Sequence, residues 1–384
     1  MTRAGLLTAA TAAVLGLLGV LLSYPELLGL ATGFTVLLLC SAGWLWLAPD
    51  LAVHRSLVPA RVFQNGEVVS RLAFNNRRRT PSPPVLGYEL VGNERVPIRV
   101  PRLSSGATMV AELKLPTTTR GLHLIPPLML RGSDPFGLFD LSRSIGESST
   151  LWIYPRPQAG VPALDDDAVR ELDASVSARS LAGGTTFDGL RAYQPHDDSR
   201  LIHWPSYARS GELLVRHHIV GNESRHLVVL DTSDVYGDEE SFEAAVRVAA
   251  SWCAAGMSAA AAVSLATTDG LYVDVAAGYS DFDGARQLWE ALARAQVHKG
   301  SRAPSTPVDL PSRAPATALG WVTGPLASEV SDTASALIQA VSHAAAARIG
   351  GALPTRIMHH PGLLEITAAT PQAWAGAWGK AMGA

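Results

Sequence analysis

Residues 189–218, "GLRAYQPHDDSRLIHWPSYARSGELLVRHH", crowd reactive side chains into one stretch. Arginine stands at 191, 200, 209 and 216, histidine at 196, 203, 217 and 218, aspartate at 197 and 198, and tryptophan at 204. Three kinds of chemistry use such groups: a transition-metal centre, a hydrolytic acid–base pair, and a clasp of guanidinium–carboxylate pairs. The spacing from His196 to His203 matches no ligand pattern that a helix or strand presents. His217 and His218, adjacent in a strand, point to opposite faces. Asp197 and Asp198 likewise diverge in an extended chain, and no G-x-S-x-G or comparable nucleophile context accompanies them. A metal-dependent hydrolase using this His/Asp motif remains the alternative reading. The alternation of Arg with Asp favours the clasp. Asp197 and Asp198 would accept from turn amides or from Arg191, Arg200 and Arg209 in bidentate geometry, after Tyr193 and Pro195 end an approaching strand. Trp204 adds a large apolar anchor of the kind enriched at binding hot spots. Whether clasp or contact surface, the residues expected to matter are Arg191, Tyr193, Asp197, Asp198, Arg200, His203, Trp204 and Arg209.

The chain around this stretch must position it, and 384 residues allow two or three cores. A net charge of −3 gives no bulk electrostatic case for nucleic acid. Cys40 and Cys253 lie far apart in unlike contexts, so no disulfide framework is expected. Hydrophobic residues make up 47% of the chain, with the excess at the start. Residues 4–22 and 27–47 are uncharged runs near the ~20 residues a spanning helix requires. "SYPE" turns between them, and Trp44 and Trp46 fall where interfacial aromatics sit. A cleaved signal peptide followed by a buried helix is the other reading of this region. Arg3 precedes the pair while Arg55 and Arg61 follow it, which places both ends in the cytoplasm by the positive-inside rule. The expected location is the plasma membrane, spanned twice, with lipid bilayer as a partner and the soluble domains cytoplasmic.

The expected organisation is a two-helix transmembrane anchor (1–50), a β-sandwich domain (51–157), a linker carrying the Arg/Asp/Trp motif (158–225) and an α/β domain (226–384). Short alternating segments punctuated by Asn, Gly, Pro and Ser suggest an antiparallel sandwich. Residues 75–84, "NNRRRTPSPP", read as a solvated hairpin tip, with contact to anionic headgroups as the second reading for a domain tethered near a bilayer. From residue 226 strands and helices alternate: "HLVVLD" is a buried strand, and "SDTASALIQAVSHAAAARIG" reads as one helix. This pattern predicts a doubly wound sheet that binds ligands at the carboxyl ends of its strands. Neither G-x-G-x-x-G after a strand nor G-x-x-x-x-G-K-[ST] occurs, which disfavours the common nucleotide sites.

"RGLHLIPPLMLRGSDPFGLFDLSR" (120–143), "LWIYPRP" (151–157) and "FDGLRAYQPHDDSRLIHWPSYARSGELLVR" (187–216) together resemble the bacterial domain-of-unknown-function family 58. The resemblance runs over nearly the whole chain. His196 and Pro205 depart from the family pattern, which has glycine and a basic residue there; histidine meets a steric cost in a tight turn that glycine avoids. The resemblance implies a membrane hairpin, a β domain and a von Willebrand factor type A-like domain. It also implies a protein–protein interaction role, not an enzymatic one, with a MoxR-type AAA+ ATPase and its client protein in assembling or activating envelope or metabolic complexes. The type A fold often holds Mg²⁺ through D-x-S-x-S after its first strand. Here "LDTSDV" offers Asp231 and Ser233 but Val235 in place of the second serine, with Asp234 and Thr323 as further oxygens. The other reading is that Asp231 and Ser233 cap the following helix or the strand end.

Overall fold

The two uncharged runs form helices α1 (Arg3–Leu21) and α2 (Pro25–Trp46), both long and apolar enough to cross a membrane. The computed structural model describes residues 1–46, 50–165, 187–192, 214–218, 224–278, 281–298, 316–327 and 332–383. Thr2 caps α1, its hydroxyl accepting from the Gly5 amide, and Pro25 starts α2 where its missing N–H costs nothing. Gly5, Ala12 and Gly19 are the buried positions of α1, one every second turn. A Cβ at Gly19 would lie 2.9 Å from the Leu28 side chain, so the helices meet through small residues. The chain falls into two compact units, Met1–Tyr154 and Pro155–Ala384.

In the first unit ten strands form three sheets. β1 (Leu51–Val58), β3 (Val69–Asn76) and β6 (Thr108–Lys114) make one. A second runs β5 (Glu94–Val100), β4 (Val85–Val91), β8 (Leu128–Ser133), β9 (Asp140–Ile145). The third is β2 (Arg61–Phe63), β10 (Ser149–Tyr154), β7 (Gly121–Ile125), and here β2 pairs with β10 in parallel, unlike the all-antiparallel arrangement expected. Leu72 and Phe74, Val85 and Leu128, and Ile125 and Ile153 bring the three sheets into one core. Inside it Arg55 Nε donates to Glu89 Oε1 at 2.7 Å, and its other nitrogens donate to the carbonyls of Ile125, Glu147 and Pro126. A guanidinium donating to a carboxylate and to carbonyls at several strand ends ties strands of different sheets together. Residues 75–84 are a crossover between two sheets and not a hairpin tip, because β3 and β4 pair with different partners. The buried Asn76 amide fixes this crossover by donating to the carbonyls of Thr80, Leu103 and Ser104.

The second unit is built on a seven-stranded sheet. β13 (Arg225–Leu230), β14 (Ala262–Thr267), β16 (Ala318–Thr323), β17 (His343–Ile349) and β19 (Leu363–Ala368) run parallel, and β15 (Tyr272–Val275) and β18 (Arg356–His360) close the edges antiparallel. The order is β15-β14-β13-β16-β17-β19-β18. β13, β14 and β16 are buried nearly throughout, as strands covered on both faces must be. Val228 and Leu230 share a core with helices α3 (Glu239–Ser258), α4 (Phe282–Arg294) and α6 (Pro371–Ala381), and Leu227 and Val229 face the opposite core beside α5 (Asp332–Ala340). Asp238, Asp281 and Thr370 cap α3, α4 and α6 by accepting from backbone amides. Trp252, Trp374 and Trp378 cluster with centroids 5.1–6.3 Å apart, and Trp378 Nε1 donates to the Pro162 carbonyl.

The single helix expected across "SDTASALIQAVSHAAAARIG" is instead helix α5 followed by strand β17. Ala345 and Ala347 point to the α3 core and Ala346 to the opposite one. Small side chains let layers close on both faces, and that burial overrides alanine's preference for helix.

Candidate functional site

Sheet order locates the place where a ligand would meet this fold. From β13 the chain winds outward to β14 and β15 on one side, then returns to wind through β16, β17 and β19 on the other. The direction reverses between β13 and β16, and the crevice beyond their carboxyl ends is where open α/β sheets bind ligands. Asp231 follows β13 directly, Thr323 ends β16 and Thr268 follows β14.

These residues converge. Asp231 Oδ2 accepts from the Thr323 hydroxyl at 2.8 Å, while Oδ1 accepts from the Ser233 amide at 2.9 Å, the Ser233 hydroxyl at 2.6 Å and the Thr268 hydroxyl at 3.3 Å. Asp231, Ser233 and Thr323 are 4%, 2% and 7% exposed, so the cluster forms a floor and not an open bowl. Its surrounding loops are stitched to each other. The Asp231 amide donates to Val322 O, the Leu326 amide to Val235 O, and Tyr236 Oη to Asp231 O. Burial, with the Asp231 charge beside it, raises the Tyr236 phenol above its ordinary value. A Cβ at Gly324 would lie 2.3 Å from Val235 O, so only glycine allows the two loops to come this close. Asp234 and Leu326 are exposed around the rim.

The three residues proposed from sequence as metal ligands therefore meet, and Thr268 joins them. Thr268 carries no signal in the sequence beyond its place after a strand. Asp231 and Ser233 do not cap α3; Asp238 does. The donor set is one carboxylate and three hydroxyls, each hydroxyl already donating to that carboxylate. Among the described residues no three His, Cys, Asp or Glu side chains gather as a metal site would require. Cys253 is buried in α3, and burial pushes its thiol well above the usual range, which removes it as a nucleophile.

A second polar cluster lies at the opposite end of β13. Asp165 accepts from the Ser224 hydroxyl, pairs through Oδ1 with His226 Nε2, and accepts from the Thr317 hydroxyl at 3.3 Å. Serine, histidine and aspartate are together here, yet not as a catalytic triad. A triad shares the two ring nitrogens between serine and aspartate. In this cluster Nε2 faces both, at 3.1 Å from Ser224 Oγ, and Nδ1 has no partner among the described residues. His226 is fully buried, with Nδ1 turned to Gly256 of α3. Burial raises the Asp165 carboxyl, but His226, Ser224 and Thr317 more than offset this and hold it below the ordinary aspartate value. No spacing in the sequence announces this cluster.

Of the Arg/Asp/Trp motif, Arg191 lies in strand β11 (Phe187–Ala192), which pairs antiparallel with β12 (Leu214–His218), Arg191 opposite Val215. Tyr193, Asp197, Asp198, Arg200, His203, Trp204 and Arg209, together with His196 and Pro205, lie outside the described residues. The "DPFGLF" stretch forms the β8–β9 turn. Asp134 Oδ1 accepts from the Phe139 amide at 2.6 Å and Oδ2 from the Phe136 amide at 3.0 Å.

Among known proteins, no family model and no curated protein matches this chain. Several solved structures overlap it locally. The CARDB domain of a Pyrococcus furiosus protein, in complex with di-metal ions, is 15% identical over 28% of this chain and 94% of its own, at TM-score 0.22. A domain of a putative cell surface protein from Methanosarcina acetivorans is 20% identical over 26% and 92%, at TM-score 0.19. The sporulation control protein Spo0M of Bacillus subtilis is 12% identical over 38% and 58%, at TM-score 0.17. Overlaps of this size carry no functional argument.

Proposed function

We propose that this protein is a membrane-anchored interaction scaffold of the family 58 kind, non-enzymatic, with a sandwich-like β domain and a von Willebrand factor type A-like domain that receives a partner at its switch point. The observation that carries the proposal is the Asp231 cluster at the carboxyl ends of β13 and β16. This is the ligand-facing position of the fold, and among the described residues Asp231 is hydrogen-bonded by hydroxyls and amides, with no imidazole bonded to it. The exposed Asp234 and Leu326 give the rim one acidic and one apolar contact for a protein partner. The helical hairpin brings both its ends to one face of the bilayer, and Arg3 and Arg61 favour the cytoplasmic side of the plasma membrane.

The resemblance supplies the partner: a MoxR-type AAA+ ATPase together with its client. Affinity capture of the full-length protein from native membranes, with and without ATP, followed by mass spectrometry, tests this. An enriched AAA+ ATPase is the expected result, and its absence under both conditions sinks the partnership. Mg²⁺, if taken up, would be held by Asp231, Ser233 and Thr323 with water completing the shell, and would supply a Lewis-acidic contact for a partner's carboxylate. Because both oxygens of Asp231 already accept internal donors, calorimetric titration with Mg²⁺ or Mn²⁺ should show heat only at about millimolar concentration or above.

A further inference from the structure

The strands of the first unit end, on one side, where the two helices end. Leu51 pairs with Asn76 and Asn75 with Thr108, so β1 begins, β3 ends and β6 begins at the same level. Val85 pairs with Val100 and Ser82 bridges Leu103, bringing the start of β4 and the end of β5 alongside. The β8–β9 turn reaches the same end, since Leu86 pairs with Arg131. Both helices are fixed to this end. The Thr2 amide donates to Leu138 O at 2.9 Å, its hydroxyl donates to Gly137 O, and the Arg77 amide donates to Asp50 O at 3.1 Å. A Cβ on Gly5 would fall 2.2 Å from Leu138 O, so α1 rests directly on the turn. Only residues 47–49 separate α2 from Asp50, a reach of roughly 14 Å at full extension. The base of the β unit is therefore held within about a headgroup layer of the bilayer that α1 and α2 cross.

This base is basic. Arg77, Arg79 and Arg102 are exposed there, as is Arg3 at the start of α1, and none pairs with a carboxylate among the described residues. The acidic groups on the same end are mostly spent: Asp134 is buried under the amides of Phe136 and Phe139, and Asp140 is paired with Arg131, leaving Asp50 exposed. At the same end Phe136 is 60% exposed at the tip of the turn. Uncompensated arginines and a protruding aromatic ring at one end of the unit, at headgroup distance from a bilayer, complement an anionic lipid surface.

We propose that the base of the β unit is a lipid-docking surface, with Arg77, Arg79 and Arg102 binding anionic headgroups and Phe136 seated among them. The proposal rests on the reading of α1 and α2 as a membrane anchor. The full-length protein is placed in nanodiscs of phosphatidylcholine alone or with phosphatidylglycerol, and amide hydrogen exchange is followed over residues 77–82 and 134–138. Exchange should be about tenfold slower in the anionic discs, and R77Q/R79Q/R102Q should reduce that difference to about twofold while exchange in the rest of the β unit stays unchanged. Equal exchange in the two lipids, or a difference that survives the triple variant, overturns the docking surface although the anchor stands. A protein that does not co-elute with the discs overturns both.

Discussion

Strand β13 carries a buried carboxylate at each end, and the two are made of the same parts. Asp165, at the amino end, accepts from the hydroxyls of Ser224 and Thr317; Asp231, at the carboxyl end, accepts from those of Ser233, Thr268 and Thr323. They differ in two respects. Asp165 also faces an imidazole, and it belongs to a segment that precedes the sheet by some sixty positions. Among the described residues Asp231 accepts from hydroxyls and an amide, on two loops and the end of β16 at the switch point. One cluster fastens an early stretch of chain to the sheet, and the other fastens to one another the loops at the switch point. Chemical composition does not distinguish a fastening from a site; position on the sheet does.

The comparison can be broken by removing each carboxylate in turn. Asp165→Ala strands a fully buried His226 and should cost about 3–5 kcal/mol, seen as an early loss of the near-ultraviolet circular dichroism of the tryptophan cluster on heating. Asp231→Ala leaves neutral hydroxyls, which rotate to other acceptors, and should cost about 1–3 kcal/mol in the same measurement while abolishing capture of the partner. If the two variants melt together, the distinction between fastening and site fails.

Acid sharpens the contrast. The folded Asp165 carboxyl lies below its unfolded value of about 3.9, so its contribution is complete above that value and drains away as pH falls through the lower folded one. Melting temperature followed from about pH 6 to pH 3 should therefore fall more steeply for the wild type than for Asp165→Asn. Parallel curves would remove the pair with His226 as the cause.

The smaller effects come from glycine. A Cβ on Gly256 would lie 2.7 Å from His226 Nδ1, and one on Gly324 would lie 2.3 Å from Val235 O. Each alanine should cost about 1–3 kcal/mol through overpacking. Gly324→Ala alone should weaken partner capture, because it separates the loops around Asp231. Ser233→Ala, which deletes one of four donors, should cost about 1 kcal/mol.

Asp231 and Ser233 stood out because the resemblance implies a D-x-S-x-S pattern after the first strand of the α/β domain, and Thr323 because it ends a later apolar strand. The local pattern was enough to place strand ends, and strand ends place ligands in this kind of sheet. Asp165, Ser224, His226 and Thr317 gave no such signal. Their meeting depends on which strands are neighbours, and no short window of residues records that. The misreading of "SHAAAARIG" has a related cause: alanine favours helix in isolation, whereas a middle strand between two layers needs small side chains. The crossover at residues 75–84 looked like a hairpin tip because composition marks a turn without saying which sheet the chain enters next. The Arg/Asp/Trp motif, the plainest chemical signal in the sequence, lies mostly outside the described residues.

The cap of the first helix has a consequence in time. Thr2 is bound by the carbonyls of Gly137 and Leu138, partners 135 and 136 residues downstream. At about 5–20 residues per second, a ribosome makes Thr2 roughly 7–27 s before it makes that partner turn. The helix is therefore made with its cap unfastened, and the cap is closed only when the β8–β9 turn has formed. Translation speed over residues 3–138 thus sets how long α1 waits for its cap, and a slow stretch of codons there should lengthen that interval.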